Sequence, residues 1–313
     1  MANTYGKVSG TFEEIDNAYG KVSGVWQEAD EIYGKVSGVW KLVFAAFQAG
    51  SVQTLSSGSG TFTVPDGANA IHIQASAGGG GGAAGGASYD KAGGESAGAG
   101  GGSGAYVSDK VFTVTAGETI SYSIGGGGAP GNQTANFSQP RIASAGSSTT
   151  LSGSSAGSLF TLGAGGGSSG TGGGVQGPLR TNTAGTGGSA SISGTVVSSG
   201  TFRDSDGTTK NITSLTSGPV GTFNQSGNGV SGSNNGNCSG DNCRIGGSTG
   251  ATSYSGNVAG GAGGSSSGSG TAGSAGTRGS GGGGGAAQVT GGGATNGASG
   301  GNGEVRYRFL RVN

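Results

Sequence analysis

The sequence predicts an all-β protein in which short strands alternate with glycine-rich segments that resemble polyglycine II helices. Three observations lead to this prediction. Glycine supplies 80 of the 313 residues, a 14-residue unit repeats near the amino terminus, and alternating apolar residues flank the glycine runs. We expect tandem hairpin repeats over 1–49, a linker over 50–60 and a glycine-rich β domain over 61–313.

The repeat reads YGKVSGTFEEIDNA, YGKVSGVWQEADEI and YGKVSGVWK. Two short strands joined through Ser-Gly predict one β-hairpin in each copy. Isolated hairpins are marginal in water, so these hairpins need a surface to pack on. We expect them to dock the chain on a larger particle through aromatic positions, and the alternative is a small sheet that covers the main domain. The docking candidates are Tyr5, Phe12, Tyr19, Trp26, Tyr33 and Trp40.

Strands are predicted beside the glycine runs. Residues 61–75 are predicted to form a strand, a turn and a second strand, which leads directly into polyglycine. Residues 105–115 and 118–124 predict a hairpin with one apolar face. The last strand, 304–312, is expected to pair with the early strands and close the domain.

The glycine runs require a source of stability, because glycine loses more conformational freedom on folding than any other residue. Without a Cβ atom, extended helices of three residues per turn can lie side by side and bond N–H to C=O laterally. We expect the runs to be rods of one bundle, and the alternative is a disordered low-complexity segment. The runs lie at 77–104, 125–128, 163–174, 185–188, 260–285 and 291–303.

The order FTVPDG, a strand into polyglycine, AYV and then AGETISYSIGGGG resembles the glycine-rich domain of bacteriophage tail-fibre and tail-appendage proteins. The match spans about 61–131 and closes with GNGEVRYRF at 301–309. The composition is similar to that of T-even-type fibre-tip adhesins, in which polyglycine II helices form a sandwich and the loops between them contact the host receptor. The resemblance implies a virion protein made in the host cytoplasm, and its partners would be other virion proteins and a host surface receptor.

The longest polar stretch runs from 198 to 243 and is rich in Asn, Ser, Thr and Gly, which is typical of a solvent-facing loop on a rigid scaffold. We expect it to contact the receptor, and the alternative is a tolerated insertion without a partner. The candidate contact residues are Phe202, Asp204, Asp206, Phe223 and Asn224.

Few residues suggest catalysis or metal binding. The single histidine, His72, is expected to be structural. Cys238 and Cys243 could close a loop as a disulfide, with free thiols as the alternative. Asp204 and Asp206 resemble the start of a calcium loop, but no glutamate follows at the required spacing, so we expect a local turn. We predict no enzyme, metal or cofactor.

Charge and hydropathy limit the classes of partner that we expect. The formal net charge is zero with a pI near 6.6, which argues against nucleic acid, and no apolar stretch reaches the length of a membrane helix. We expect no secretory signal, because the opening residues MANTYGK lack a basic region followed by an apolar one. We expect a phage tail fibre or tail-tip appendage that forms a homo-oligomer, with a trimer favoured. The alternatives are a capsid or tail decoration protein, an ice-binding protein and a polysaccharide-degrading appendage.

Overall fold

The computed structural model describes residues 47–85, 97–132, 142–168, 183–215, 224–233, 248–252, 260–262, 272–285 and 295–313 in full. It also describes the backbone of the strands at 5–8, 11–14, 19–22, 25–28, 31–36, 39–45, 87–88, 95–96, 237–238, 244–245 and 287–289. These residues form strands and one short 3-10 helix, Ile212–Ser214. The all-β fold class is confirmed.

The strands fall into an amino-terminal group and a main group. The first six are β1 (Tyr5–Val8), β2 (Thr11–Glu14), β3 (Tyr19–Val22), β4 (Val25–Glu28), β5 (Glu31–Val36) and β6 (Val39–Ala45). The others are β7 (Gln53–Leu55), β8 (Ser59–Thr63), β9 (Ala70–Ser76), β10 (Ala87–Ser88), β11 (Glu95–Ser96), β12 (Tyr106–Thr113), β13 (Thr119–Ser123), β14 (Thr149–Gly153), β15 (Gly157–Leu162), β16 (Ala190–Ile192), β17 (Thr201–Arg203), β18 (Thr209–Asn211), β19 (Gln225–Gly227), β20 (Asn237–Cys238), β21 (Arg244–Ile245), β22 (Ala287–Val289) and β23 (Glu304–Leu310).

The amino-terminal strands pair antiparallel as β1 with β2, β3 with β4 and β5 with β6. The register is the same in each pair at the position of the repeated lysine. Its Cα partner is the aromatic residue of the same copy: Lys7 with Phe12, Lys21 with Trp26 and Lys35 with Trp40. The sequence repeat therefore corresponds to a repeated backbone pairing, and the six aromatic docking candidates all lie within these strands.

Two five-stranded sheets form a sandwich, with the orders β19-β12-β9-β23-β7 and β16-β15-β14-β13-β8. Apolar side chains from both sheets meet in the main core, where Phe112 of β12 lies 6.2 Å from Phe160 of β15 between ring centroids. At one side of the sandwich, Phe62 of β8 stacks on Tyr307 of β23 with ring centroids 4.3 Å apart. The expected pairing of the last strand with early ones is confirmed, because β23 lies between β9 and β7.

The hairpin predicted from 105–115 and 118–124 is wrong. β12 pairs with β9 and β19 in one sheet, whereas β13 pairs with β8 and β14 in the other. β12 is buried along nearly its whole length, so it takes partners on both edges inside its sheet, and the turn after it crosses to the second sheet. The range expected as a linker, 50–60, contains β7 and the start of β8, which are both paired within the sandwich.

The glycine-rich segments are held by backbone hydrogen bonds whose partner changes at every residue. The N–H groups of Gly79, Gly80 and Gly81 donate to the carbonyls of Gly301, Gly102 and Ser144, each on a different segment. The same neighbours recur after three residues, since Gly82 donates to Ala298, and Ala83 donates to Ala99. The backbone is therefore satisfied laterally in several directions, which a flat sheet cannot do.

Within the described residues, three buried segments form the centre of this array: 77–85, 97–105 and 279–285. Around them nine segments form a closed ring in which each is bonded to the next along the chain and the last to the first. The ring consists of 125–131, 142–148, 163–168, 183–189, 229–233, 248–252, 260–262, 272–277 and 295–303. Each of the three central segments is hydrogen-bonded to six other segments.

Glycine is required at the centre for a steric reason. A Cβ atom built on Gly80 would overlap the carbonyl oxygen of Gly166, and one built on Gly102 would overlap that of Thr186. Gly126, on the outside of the ring, has open space at the same position. The need for glycine therefore depends on whether the Cβ position faces another segment, since ring glycines such as Gly127 would also overlap a neighbouring carbonyl oxygen.

The array continues directly from the sandwich. β9, β13 and β15 run into segments 77–85, 125–131 and 163–168, whereas β12 and β23 receive the returning segments. Because these segments run side by side, the connections after residues 85, 132, 168, 233 and 285 all leave the array at the end away from the sheets. We call this the distal end.

Candidate functional site

The first part of the expected receptor loop covers one face of a sheet. Residues 197–215, here called the cover segment, contain β17, β18 and the 3-10 helix. Phe202 is 1% exposed and packs with Ile212 and Leu215 against Val111 and Leu310 of the sheet. This burial leaves the Phe202 ring no surface for a receptor.

Asp204 is also buried, and it links the cover segment to the sheet. Its Oδ1 lies 3.0 Å from Arg308 Nη1, its Oδ2 lies 2.5 Å from Lys210 Nζ, and the Arg308 guanidinium lies 5.4 Å from the centre of the Phe202 ring. Burial alone would raise the pKa of Asp204, but hydrogen bonds from Lys210 and the Ser205 N–H, with the charge of Arg308, outweigh it and lower the pKa. Asp204 is therefore ionised, and its ion pair with Arg308 holds the cover segment on the sheet.

Asp206 is exposed and forms the local turn that the sequence predicts. Its Oδ1 accepts hydrogen bonds from the Thr208 N–H at 2.9 Å and from the Thr208 hydroxyl at 2.6 Å, and Lys210 Nζ lies 3.1 Å from its Oδ2. The Thr208 bonds, followed by that of Lys210, lower its pKa. Lys210 Nζ bridges the two carboxylates. Among the residues described, no group of three or more His, Cys, Asp or Glu could hold a metal.

His72 lies in the middle of β9 on the covered face, and its Nε2 is 3.0 Å from Asp109 Oδ1. The two side chains are 1% and 0% exposed. Burial lowers the pKa of His72 more than Asp109 raises it, and Arg308 adds to the lowering. The imidazole is therefore neutral near pH 7, in agreement with a structural role.

Sequence reasoning missed Asp109 as the partner of His72. Asp109 sits at a β-bulge between Val107 and Lys110, with a left-handed φ of 47°. A bulge inserts an extra residue and redirects the side chain, which here brings the carboxylate to His72. The available signal was an aspartate in the middle of the strand-like stretch YVSDKVFT.

Asn224 lies beside the same bulge at the edge of the sheet. Its N–H donates to the Asp109 carbonyl at 2.9 Å, and Lys110 Nζ donates to its Oδ1 at 2.9 Å. Burial lowers the pKa of Lys110. Asn224 is half-buried and helps to hold β19 on β12, and the neighbouring candidate Phe223 lies outside the described residues.

At the distal end, short strands from different connections pair with each other. β10 pairs with β22, β22 with β21, and β11 with β20. Cys238 lies in β20, but Cys243 is outside the described residues, so the expected disulfide stays a prediction. The only helix in the part of the chain described here has three residues, so no helix there could cross a membrane.

A search of curated proteins finds no significant match to the chain. A family model described as "Glycine-rich domain" matches residues 54–310, which include every segment of the array and both sheets except Gln53 of β7. That match covers most of the sequence, and it agrees with the region in which glycine segments and strands alternate. This chain belongs to the glycine-rich domain family.

Proposed function

We propose that this chain is a bacteriophage virion protein, a tail fibre or tail-tip appendage that takes part in attachment to the host surface. The observation that carries the proposal is the separation of the two ends of the glycine-rich domain. Residues 47–55, which follow the repeats, join the domain at the sheets, whereas the connections after residues 85, 132, 168, 233 and 285 leave at the distal end. One end is thus available for docking and the other for contact.

In this proposal the glycine-rich segments are polyglycine II-type helices. The three-residue recurrence of bonding partners supports this, because that helix has three residues per turn. At about 3.1 Å per residue, a nine-residue segment such as 77–85 is about 28 Å long. A bundle bonded on all sides can hold the distal end away from the sheets without a large apolar core.

The strand pairs β1 to β6 act as hairpin repeats that dock the chain on other virion proteins. Each pair has the same register at its lysine and aromatic positions, and among the strands described none pairs with another repeat. A two-stranded sheet is marginal alone, so a partner surface would stabilise it. Association into a homo-oligomer, with a trimer favoured, would multiply such weak contacts.

Receptor contact is assigned to the distal end and not to the cover segment. Phe202 and Asp204 face the sheet, and Asp206 engages Lys210 in a local turn. The connections at the distal end begin and finish on a rigid array, which lowers the entropic penalty of ordering them against a receptor. The receptor would be a protein or glycan of the bacterial surface.

Incorporation is tested with the phage whose genome encodes this chain. Mass spectrometry of purified particles should detect the full-length protein, and deletion of residues 1–45 should remove it from particles while the domain still folds. Its absence from wild-type particles would exclude a virion role.

Attachment is tested by competition. Purified full-length protein added to host cells should slow phage adsorption. Replacing residues 133–141 and 169–182, which follow residues 132 and 168 in the sequence, by Gly-Ser linkers should abolish competition, whereas Asp206→Asn in the cover segment should not. Equal competition by the linker variant would remove the receptor assignment.

A decoration protein without receptor binding is the second candidate. The inward position of Phe202 and Asp204 favours this candidate. Part of the longest polar stretch of the sequence then packs inside the domain and is not available to a receptor. Particles that carry the chain but adsorb normally without it would support this alternative.

A further inference from the structure

The cover segment and His72 are coupled through one arginine. Arg308 is the Cα partner of His72 in the pairing of β23 with β9, so both side chains lie on the covered face. The same Arg308 holds Asp204 at 3.0 Å and lies over the Phe202 ring. A charge that appears on His72 would therefore act on the residue that ties the cover segment to the sheet.

We propose that the cover segment is an acid-sensitive latch that lifts from the sheet when His72 takes up a proton. In the closed state the imidazole is 1% exposed and is neutral. Protonation would place a second cation beside Arg308 in a site shielded from water. Lifting the cover segment would expose the imidazolium and the Arg308 guanidinium to water, which would hydrate both charges and screen their repulsion.

The charged groups around His72 decide whether its protonation favours the open or the closed state. Asp109 on β12 favours the protonated form, whereas burial and Arg308 on β23 oppose it, and the pKa of His72 is lowered on balance. On the cover segment, the Asp204 carboxylate pairs with Arg308 and with Lys210. These two cover-segment charges lie one contact further from His72 than Arg308 does. The open state, with an ordinary pKa of about 6.5, then binds the proton more tightly than the closed state.

The expected size of the pH effect follows from this difference in the pKa of His72 between the open and closed states. Above about pH 6.5 neither state is protonated, and the latch is closed. Below that value the open fraction should rise about tenfold per pH unit until the closed state also protonates. At pH 5.0 the expected rise is at most about 15-fold over pH 6.5, because half of the open state is already protonated at pH 6.5.

Backbone hydrogen bonds across the latch provide reporters. The Val197 N–H donates to the Val111 carbonyl at 2.9 Å, and the Ala49 N–H donates to Arg203 at 2.9 Å. Both bonds break if the cover segment lifts. The Gly80 N–H, bonded to Gly102 at 2.8 Å in the array, reports global unfolding instead.

The experiment is amide hydrogen exchange on the full-length protein between pH 7.5 and 5.0, expressed as protection factors so that the intrinsic pH dependence cancels. Protection at Val197 and Ala49 should fall by up to about 15-fold between pH 6.5 and 5.0, with Gly80 unchanged. His72→Gln, which cannot titrate, should remove the fall, and the control Asp206→Asn should retain it. Unchanged protection in the wild type, an equal loss at Gly80, or a fall that persists in His72→Gln would each overturn the latch.

A second measurement covers the case in which His72→Gln does not fold. The sequence has a single histidine, so its ring proton resonance can be followed in the unmodified protein. The resonance should stay that of a neutral imidazole through pH 6.5 while Val197 loses protection below that pH. An imidazole that instead titrates near pH 6.5 with full protection at Val197 would also overturn the proposal.

Discussion

The Gly80 N–H donates to the Gly102 carbonyl at 2.8 Å, and this bond joins two central segments of the array. Both glycines are buried among backbone atoms of other segments. The centre of the array thus resembles a core built from peptide groups instead of side chains. Its stability depends on how closely backbones can approach, and hence on the absence of Cβ atoms.

Gly80→Ala should destabilise the domain by about 1–3 kcal/mol or more, because the new methyl group would overlap the Gly166 carbonyl and force two backbones apart. Gly126→Ala is the matched control: it has open space, and its effect should stay within about 0.5 kcal/mol. Urea unfolding measures both. Equal stability of the two variants would contradict the close-packed array.

Asp204→Asn should lower the free energy of unfolding at pH 7 by about 1.5–3 kcal/mol, because Arg308 and Lys210 lose a charged hydrogen-bond partner. The lowered pKa of Asp204 means that this contribution is present above about pH 3.8 and is lost as the pH falls through the folded-state pKa. The difference between wild type and variant should therefore shrink in acid.

Urea titrations at pH 7 and pH 3 measure that difference, and Asp206→Asn serves as an exposed control with a smaller effect. A gap between Asp204→Asn and wild type that is the same at both pH values would show that the charge is not the source of stability.

Phe112→Ala should cost about 3–5 kcal/mol, since this fully buried ring connects the two sheets through Phe160. The cavity would lie between two hydrogen-bonded sheets that cannot easily collapse. Val230→Ala, at a side chain 48% exposed, should change stability by less than about 0.5 kcal/mol. Thermal and urea unfolding can compare them, and similar losses would argue against a side-chain core in the sandwich.

A protein that starts at residue 46 should fold with an unfolding midpoint close to that of the full chain. Phe47 and Ala49 pack on the domain and remain in this protein, whereas β1 to β6 pair only among themselves in the strands described. Circular dichroism and urea unfolding provide the measurement. A large loss of stability would mean that the repeats pack on the domain.

Several parts of the fold were predictable from local patterns. Alternating apolar residues predicted β9 and β23, and the 14-residue period predicted units that pair with the same register at Lys7, Lys21 and Lys35. The turn at Asp206 followed from the tendency of aspartate to bond its own backbone two residues ahead. Each of these properties depends on neighbours within a few residues.

By itself, the sequence determined an all-β, glycine-rich chain with an amino-terminal repeat, because composition, period and alternation are local. Only the tertiary structure decided that β12 pairs with β9 and not with β13, that Asp109 meets His72 across 37 residues, and that Phe202 faces inward. It also closed the ring of glycine segments in chain order. Such choices depend on burying both faces of a strand and satisfying every backbone group at once, and these requirements are met only when distant segments are in place together.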